Sequence, residues 1–239
     1  MIKLQNISKK FGKLKALDDV SIHFSKGECI ALIGPNGCGK TTMIKSILGM
    51  AVPDSGQILF NDKNISPDWK YRSQIGYMPQ IGRYPDNMNI GQVISMMKDI
   101  RHSDQLQLDE ELIHNFELSK MLNKRLSTLS GGTRQKVSAV LAFLFNPEVL
   151  ILDEPTAGLD PVSSEILKEK INKEKQKGKL ILITSHVLSE LDDLITQVVF
   201  MQDGKLKFHN TIEELKQETG EQKLSKAIAK IMLKEATHE

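Results

Sequence analysis

Apolar residues recur along this chain with two different periods, and the switch between them sets out its organisation. Ile2-Lys3-Leu4-Gln5-Asn6-Ile7 and Val20-Ser21-Ile22-His23-Phe24 alternate apolar and polar positions, which predicts half-buried antiparallel strands. Cys29–Ile33, Val149–Leu152 and Leu180–Ile183 are unbroken apolar runs, as expected of strands covered on both faces. A glycine-rich turn follows the first run, and the spacing after it predicts a helix over about Thr41–Leu48. From Asn87 to about Phe145 the spacing is helical, as it is again over Pro161–Lys177. Gln197–Asn210, turning at Asp203-Gly204, predicts a hairpin. Gly220–Glu239 predicts a loop and an amphipathic helix with Leu224, Ile228, Ile231 and Met232 on one face. Together these predict an α/β fold: a mainly parallel sheet with helices, an antiparallel β edge and an α-helical insert.

Composition narrows the function. The chain has 239 residues, 40% hydrophobic and 26% charged, with a net charge of +2. Near-balance argues against a protein whose work is neutralising nucleic-acid phosphates. Met1–Asn6 begins no apolar stretch of signal-peptide length, so a cytoplasmic location is expected. The longest apolar region, Val137–Leu152, is broken by Asn146, Pro147 and Glu148, and a spanning helix needs about 20 largely uninterrupted apolar residues. Cys29 and Cys38 sit in contexts unsuited to a disulfide framework or a zinc site. Any membrane contact is therefore expected to run through a partner.

The strongest chemical signal is Gly34-Pro35-Asn36-Gly37-Cys38-Gly39-Lys40-Thr41, which matches G-x-x-x-x-G-K-[ST] between a buried strand and a helix. Glycines let backbone N–H groups converge on phosphates, and the helix start adds its positive end. Lys40 supplies a point charge to β- and γ-phosphates, and the Thr41 hydroxyl can ligate Mg²⁺. Far downstream, Asp153 and Glu154 end a buried run. Beside a phosphate loop, Asp153 is placed to hold Mg²⁺ through its water shell and Glu154 to polarise an attacking water. The expected ligands are ATP and Mg²⁺, on a P-loop NTPase core.

Leu129-Ser130-Gly131-Gly132-Thr133-Arg134-Gln135-Lys136, just before that carboxylate pair, resembles the signature sequence of ATP-binding cassette (ABC) transporters. The resemblance runs over about Ile2–Asn210 and implies roles for further residues. Phe11 stands where the family stacks an aromatic ring on adenine. Asn36, Gly37, Cys38, Gly39 and Thr42 belong with Gly34, Lys40 and Thr41 to the loop around the phosphates. Gln80, in Tyr77-Met78-Pro79-Gln80, matches the glutamine that joins the Mg²⁺ site to the transmembrane partner. Asp160, in Ala157-Gly158-Leu159-Asp160, matches the loop that crosses between subunits, and His186 the histidine that contacts the γ-phosphate. Thr133 departs from the family's usual Gln, while Ser130, Gly131 and Gly132 are intact.

The resemblance also implies assembly. The signature of one chain closes over the ATP held by the phosphate loop of a second copy, giving a head-to-tail homodimer. A multi-span membrane permease is the other expected partner, met through Gln80 and the segment Ile81–Met88, with the chain peripheral on the cytoplasmic face of the membrane. One ABC ATPase domain is expected over 1–239. Residues 1–86 and 144–219 would form the catalytic core with its antiparallel β subdomain, 87–143 the helical signature-bearing part, and 220–239 a helical tail. The segments around Thr133, Ala142–Pro147 and Ala157–Pro161, with Leu224–Met232, resemble the ATPase of the transporter serving copper-site maturation of nitrous oxide reductase. Two other readings are weaker. A nucleic-acid ABC ATPase would carry a long coiled coil, zinc-binding cysteines or two cassettes, and a regulatory subunit would have lost Glu154 or His186.

Overall fold

A computed structural model describes residues 1–66, 68–101, 107–185 and 193–236. In chain order its first elements are β1 (Ile2–Phe11), β2 (Leu14–Phe24), β3 (Cys29–Ile33), α1 (Lys40–Ile47), β4 (Ser55–Phe60), β5 (Lys63–Asn64) and β6 (Ile75–Met78). The helical stretch contains α2 (Ile90–Ile100), α3 (Glu111–Asn115) and α4 (Gly131–Phe143), with short 3₁₀ turns between them. There follow β7 (Val149–Asp153), α5 (Pro161–Gln176), β8 (Leu180–Thr184), β9 (Gln197–Gln202), β10 (Lys205–Thr211), α6 (Ile212–Thr219) and α7 (Leu224–Ala236). Two compact units result, Met1–Pro67 with Thr184–Glu239, and Asp68–Ile183.

In the first unit an antiparallel sheet has the order β2-β1-β4-β5. Its register aligns Ile2 with Phe24 and Phe60, and Leu4 with Ile22 and Ile58. The alternation in the sequence thus becomes one buried apolar face. The second set of strands joins β3 to β9 in parallel and β9 to β10 as an antiparallel hairpin. All five β3 residues are buried. A capping box between Thr211 and Glu214 starts α6, and Gly220 in the left-handed region ends it. On α7, Leu224, Ile228 and Ile231 are buried as predicted. Met232 departs from that expectation: it is among the exposed large hydrophobic residues, at the edge of the apolar stripe.

In the second unit β8, β7 and β6 are neighbours in that order, with β6 and β7 parallel. The sequence pattern did not announce β6, whose four residues include Gly76. A Cβ at Gly76 would lie 2.0 Å from the Ala142 carbonyl, so the glycine marks where the backbone of α4 crosses the strand. The polar start of β4, Ser55-Gly56-Gln57, hid that strand in the same way.

A buried charge cluster ties α5 to Asp109 and to the first residue of α3. The Lys170 side chain is 2% exposed; its Nζ contacts Asp109 Oδ2 (2.5 Å), Glu111 Oε2 (2.8 Å) and Glu174 Oε1 (3.0 Å). Glu174 is wholly buried and is also paired with Lys177 (2.7 Å) and with Lys179. Burial alone would lift the Glu174 carboxyl, but Lys177, Lys179 and Lys170 outweigh it and bring it down to about 2. Burial would likewise depress the Lys170 ammonium, and its three carboxylates hold it above its ordinary value instead. Removing one member leaves a buried charge uncompensated, at a cost of about 3–5 kcal/mol.

Because the folded value of Glu174 lies below the unfolded one, its contribution is present above the ordinary carboxylate range. It is lost as the pH falls through that range toward about 2. Urea denaturation of Glu174→Gln should show a loss of about 3 kcal/mol at neutral pH and a shallower decline on acidification than the wild type. Parallel curves would show that the cluster does not carry this charge linkage.

Candidate functional site

The phosphate loop lies within the first unit. β3 delivers the chain into Gly34, whose φ is +147°; a Cβ there would stand 2.1 Å from the Met201 carbonyl and 2.7 Å from Cys38 Sγ. Gly39, immediately before α1, has φ +109°, and a Cβ would stand 2.4 Å from the Ala16 carbonyl. No other residue type fits either position. The loop is tied to its surroundings by Gly204 N–H donating to the Cys38 carbonyl (3.1 Å) and Asp18 N–H to the Gly204 carbonyl (2.9 Å). Pro35, Asn36, Gly37 and Thr41 are exposed and Thr42 half-buried.

Lys40 opens α1 with its side chain turned back into the loop, where it is buried. Its Nζ donates to the carbonyls of Gly34 (2.7 Å) and Pro35 (3.1 Å) and lies 3.7 Å from Cys38 Sγ. The two carbonyls are uncharged, and among the described residues Lys40 makes no ion pair. No side chain caps α1, and no acidic residue stands in its first turn, which leaves the helix start suited to an anion. Cys38 is buried with its N–H given to the Pro35 carbonyl (3.2 Å). Phe11 is exposed at the end of β1, with Lys9 Nζ 5.5 Å from the ring centroid. It is not a core aromatic.

The second unit holds the remaining described candidates. β7, buried along its length, ends at Asp153, and Glu154 follows, half-buried, with a left-handed backbone at φ +52°. Burial, and then the Asp153 carboxylate, pushes the Tyr77 phenol on neighbouring β6 up to about 12. Gln80 is exposed just past β6. In the segment after it, Tyr84 turns inward to share a hydrogen bond with Ser138 of α4 (2.8 Å), leaving Ile81 and Arg83 exposed.

Ser130 caps α4, its Oγ accepting the Thr133 N–H (3.3 Å) and meeting the Thr133 hydroxyl (2.9 Å). Thr133, the departure from the usual signature, thus touches the very hydroxyl expected to face phosphate. A Cβ at Gly131 would meet nothing, whereas one at Gly132 would lie 2.7 Å from the Gly158 carbonyl. Asp160 caps α5: Oδ1 accepts the Ser163 N–H (2.9 Å), Oδ2 the Ser163 hydroxyl (2.6 Å), and Lys136 Nζ is 3.1 Å away. The Ser163 hydrogen bonds, with Lys136, hold its carboxyl far below the usual range. His186 lies outside the described residues.

Thr41 in the first unit carries a hydroxyl, and Gln80 and Asp153 in the second carry an amide carbonyl and a carboxylate; each is an oxygen donor of the kind Mg²⁺ accepts. Among the described residues no group of three or more His, Cys, Asp or Glu could hold a metal by itself, and no helix is long and apolar enough to cross a membrane. One residue without an expected role proves central to the geometry. Gln135, buried on α4, donates from Nε2 to the carbonyls of Glu154 (3.1 Å) and Pro155 (3.4 Å). Its signal was a glutamine in register with the apolar stripe of Ala139 and Ala142, at the spacing that puts residues on one helix face.

The ABC transporter family matches residues 17–157, more than half of the chain. The ABC transporter ATP-binding protein YtrB of Bacillus subtilis is 33% identical over 219 residues, covering 91% of this chain and 74% of that protein. The phospholipid-transporting ATPase ABCA3 of Rattus norvegicus is 34% identical over 211 residues. That match covers 87% of this chain but only 12% of the much longer relative. A solved structure of an ATP-binding subunit of an ABC transporter superposes with a TM-score of 0.88 at 28% identity, over 97% of this chain and 99% of that one.

The neighbouring glycines of α4 give a direct check on this geometry. Gly131→Ala should leave stability unchanged, because its Cβ enters open space. Gly132→Ala, pressed against the Gly158 carbonyl, should cost about 1–3 kcal/mol. Denaturant midpoints measure both, and equal effects would contradict the close approach.

Proposed function

The chain belongs to the ABC transporter family as an ATP-binding domain, and from that premise we propose that it is the ATP-hydrolysing subunit of a membrane transporter. The observation that carries this reading is the phosphate loop, with an ammonium held only by backbone carbonyls and a thiol among the described residues, inside a turn that only glycines can make. An anionic β- or γ-phosphate offers Lys40 stronger, charge-assisted hydrogen bonds than the neutral carbonyls of Gly34 and Pro35 do. ATP therefore draws the lysine outward. Phosphate oxygens accept from the backbone N–H groups of Gly37, Gly39, Lys40, Thr41 and Thr42, and adenine stacks on the exposed ring of Phe11.

Thr41, Asp153 and Gln80 would hold Mg²⁺, which when bound neutralises phosphate charge and orients the γ-phosphoryl group. Glu154 takes up the attacking water by hydrogen bonding and aims it in line with the departing oxygen. His186 steadies the γ-phosphate. Ser130, Gly131 and Gly132 of a second copy close over the same phosphate with a hydroxyl and helix-start N–H groups, which stabilise charge as it develops. The Asp160 loop contacts the opposing copy. Each copy thus supplies half of each site, and closure follows ATP binding while hydrolysis releases it.

Residues 87–143 act as the signature-bearing part and 220–239 as a tail, around the catalytic core of 1–86 and 144–219. Exposed Gln80, Ile81 and Arg83 face a multi-span permease, which holds the chain on the cytoplasmic side of the membrane. The finer reading is that the transporter serves copper-site maturation of nitrous oxide reductase, as the segment around Thr133 and the α7 sequence suggest. Deleting the chain should then leave that reductase short of copper. A fully loaded enzyme in the deletion strain would remove this assignment and leave the ATPase intact.

The hydrolytic role is tested by Glu154→Gln, which keeps size and polarity and removes the charge. ATP affinity should stay close to wild type in equilibrium titration, while turnover falls by a hundredfold or so, within the range for a group that orients the nucleophile. Near wild-type hydrolysis would sink the role of Glu154.

A further inference from the structure

We propose that Gln135 is a positioning residue for hydrolysis, its side-chain amide holding the peptides of Glu154 and Pro155 so that the Glu154 carboxylate is aimed at the attacking water. The proposal rests on Glu154 being the residue that orients that water. Glu154 occupies the left-handed region at φ +52°, a conformation that costs an ordinary L-residue about 1–2 kcal/mol and persists only where its surroundings over-determine it. Two hydrogen bonds converge on its carbonyl, from Ala157 N–H (3.2 Å) within the turn and from Gln135 Nε2 (3.1 Å) outside it.

The Gln135 bond comes from another element, and the same amide reaches the Pro155 carbonyl (3.4 Å). Gln135 is 5% exposed, so its donors have no solvent to turn to, and losing them would leave the peptides of the turn without that restraint. Two other contacts join the same segments: the close approach of Gly132 to the Gly158 carbonyl and the Lys136–Asp160 pair. Those lie at the later part of the turn, where they hold α4 and the loop together. Gln135 reaches the peptide bearing the glutamate itself. Through it, the helix that starts at Ser130 and the turn that carries Glu154 move as one piece.

A role in aim rather than in binding has a kinetic signature. Gln135→Met keeps the shape and removes both donors. Its kcat should fall tenfold to about a hundredfold, as for a misplaced reacting group. KM for ATP and equilibrium ATP affinity should stay within about twofold, because no ground-state contact to nucleotide is lost. Gln135→His, whose Nε2–H reaches about as far as the glutamine amide, should recover most of the rate. Should the methionine variant fail to fold, Gln135→Glu tests the same point by replacing the donor with an acceptor. Because Gln135 acts through Glu154, adding Gln135→Met to Glu154→Gln should lower single-turnover hydrolysis no further. Wild-type kcat in Gln135→Met beside an inactive Glu154→Gln overturns the positioning role alone, as does a full multiplicative loss in the double variant. Active Glu154→Gln overturns the underlying role of Glu154, and the proposal with it.

Discussion

A backbone can turn its amides toward an anion only where no Cβ blocks the turn, and this constraint governs the first unit. Gly34 and Gly39 are pressed against carbonyls of Met201 and Ala16. The loop is therefore shaped by β2 on one side and by β9 on the other. The antiparallel strands and the β9–β10 hairpin act as walls for the turn: Gly204, at the hairpin's tip, donates to the Cys38 carbonyl. Within those walls the Lys40 ammonium donates to two backbone carbonyls, and among the described residues it makes no ion pair. Such a group has little to lose and a strong charge-assisted bond to gain when phosphate arrives.

The second unit meets a related demand by different means. Its candidate site residues Gln80, Glu154 and Asp160 sit in turns and loops, and turns are mobile unless neighbouring elements fix them. α4 does the fixing. Ser138 holds Tyr84 in the segment after Gln80, Gln135 holds the peptides at Glu154, and Lys136 pairs with Asp160. One helix thus touches the segment after Gln80, the turn at Glu154 and the loop beyond it. The Lys170–Glu174 cluster anchors α5, which Asp160 caps.

The buried runs at β3, β7 and β8 were legible because strands covered on both faces need unbroken apolar sequence. The phosphate loop was legible because its chemistry tolerates so few residue types. The strands β4 and β6 were not, since Gly56 and Gly76 stand in them where another backbone comes too close for a side chain. Gln135 was visible as a letter within the signature but not as a contact. Its partners are carbonyls, which carry no side-chain identity and leave no trace in sequence. Asp160 shows the converse. The resemblance placed this aspartate in a loop that crosses between subunits, and its oxygens in this chain are engaged by Ser163 and Lys136. Thr133 altered a familiar pattern and proved to touch the Ser130 hydroxyl.

The central claim is that a complete site takes its phosphate loop from one copy and its signature from another. Mixing two inactive variants tests it directly. Lys40→Ala disables the loop; Gly131→Glu, at an exposed position where an added Cβ meets nothing, sets a negative charge in the signature. Each alone should be inactive, since every site in its homodimer contains a defect. In a mixed dimer one site combines the two intact halves. ATP hydrolysis by the mixture should therefore rise well above the sum of the separate variants, and increase with total chain concentration. A mixture no more active than its components would mean that each chain builds its site alone.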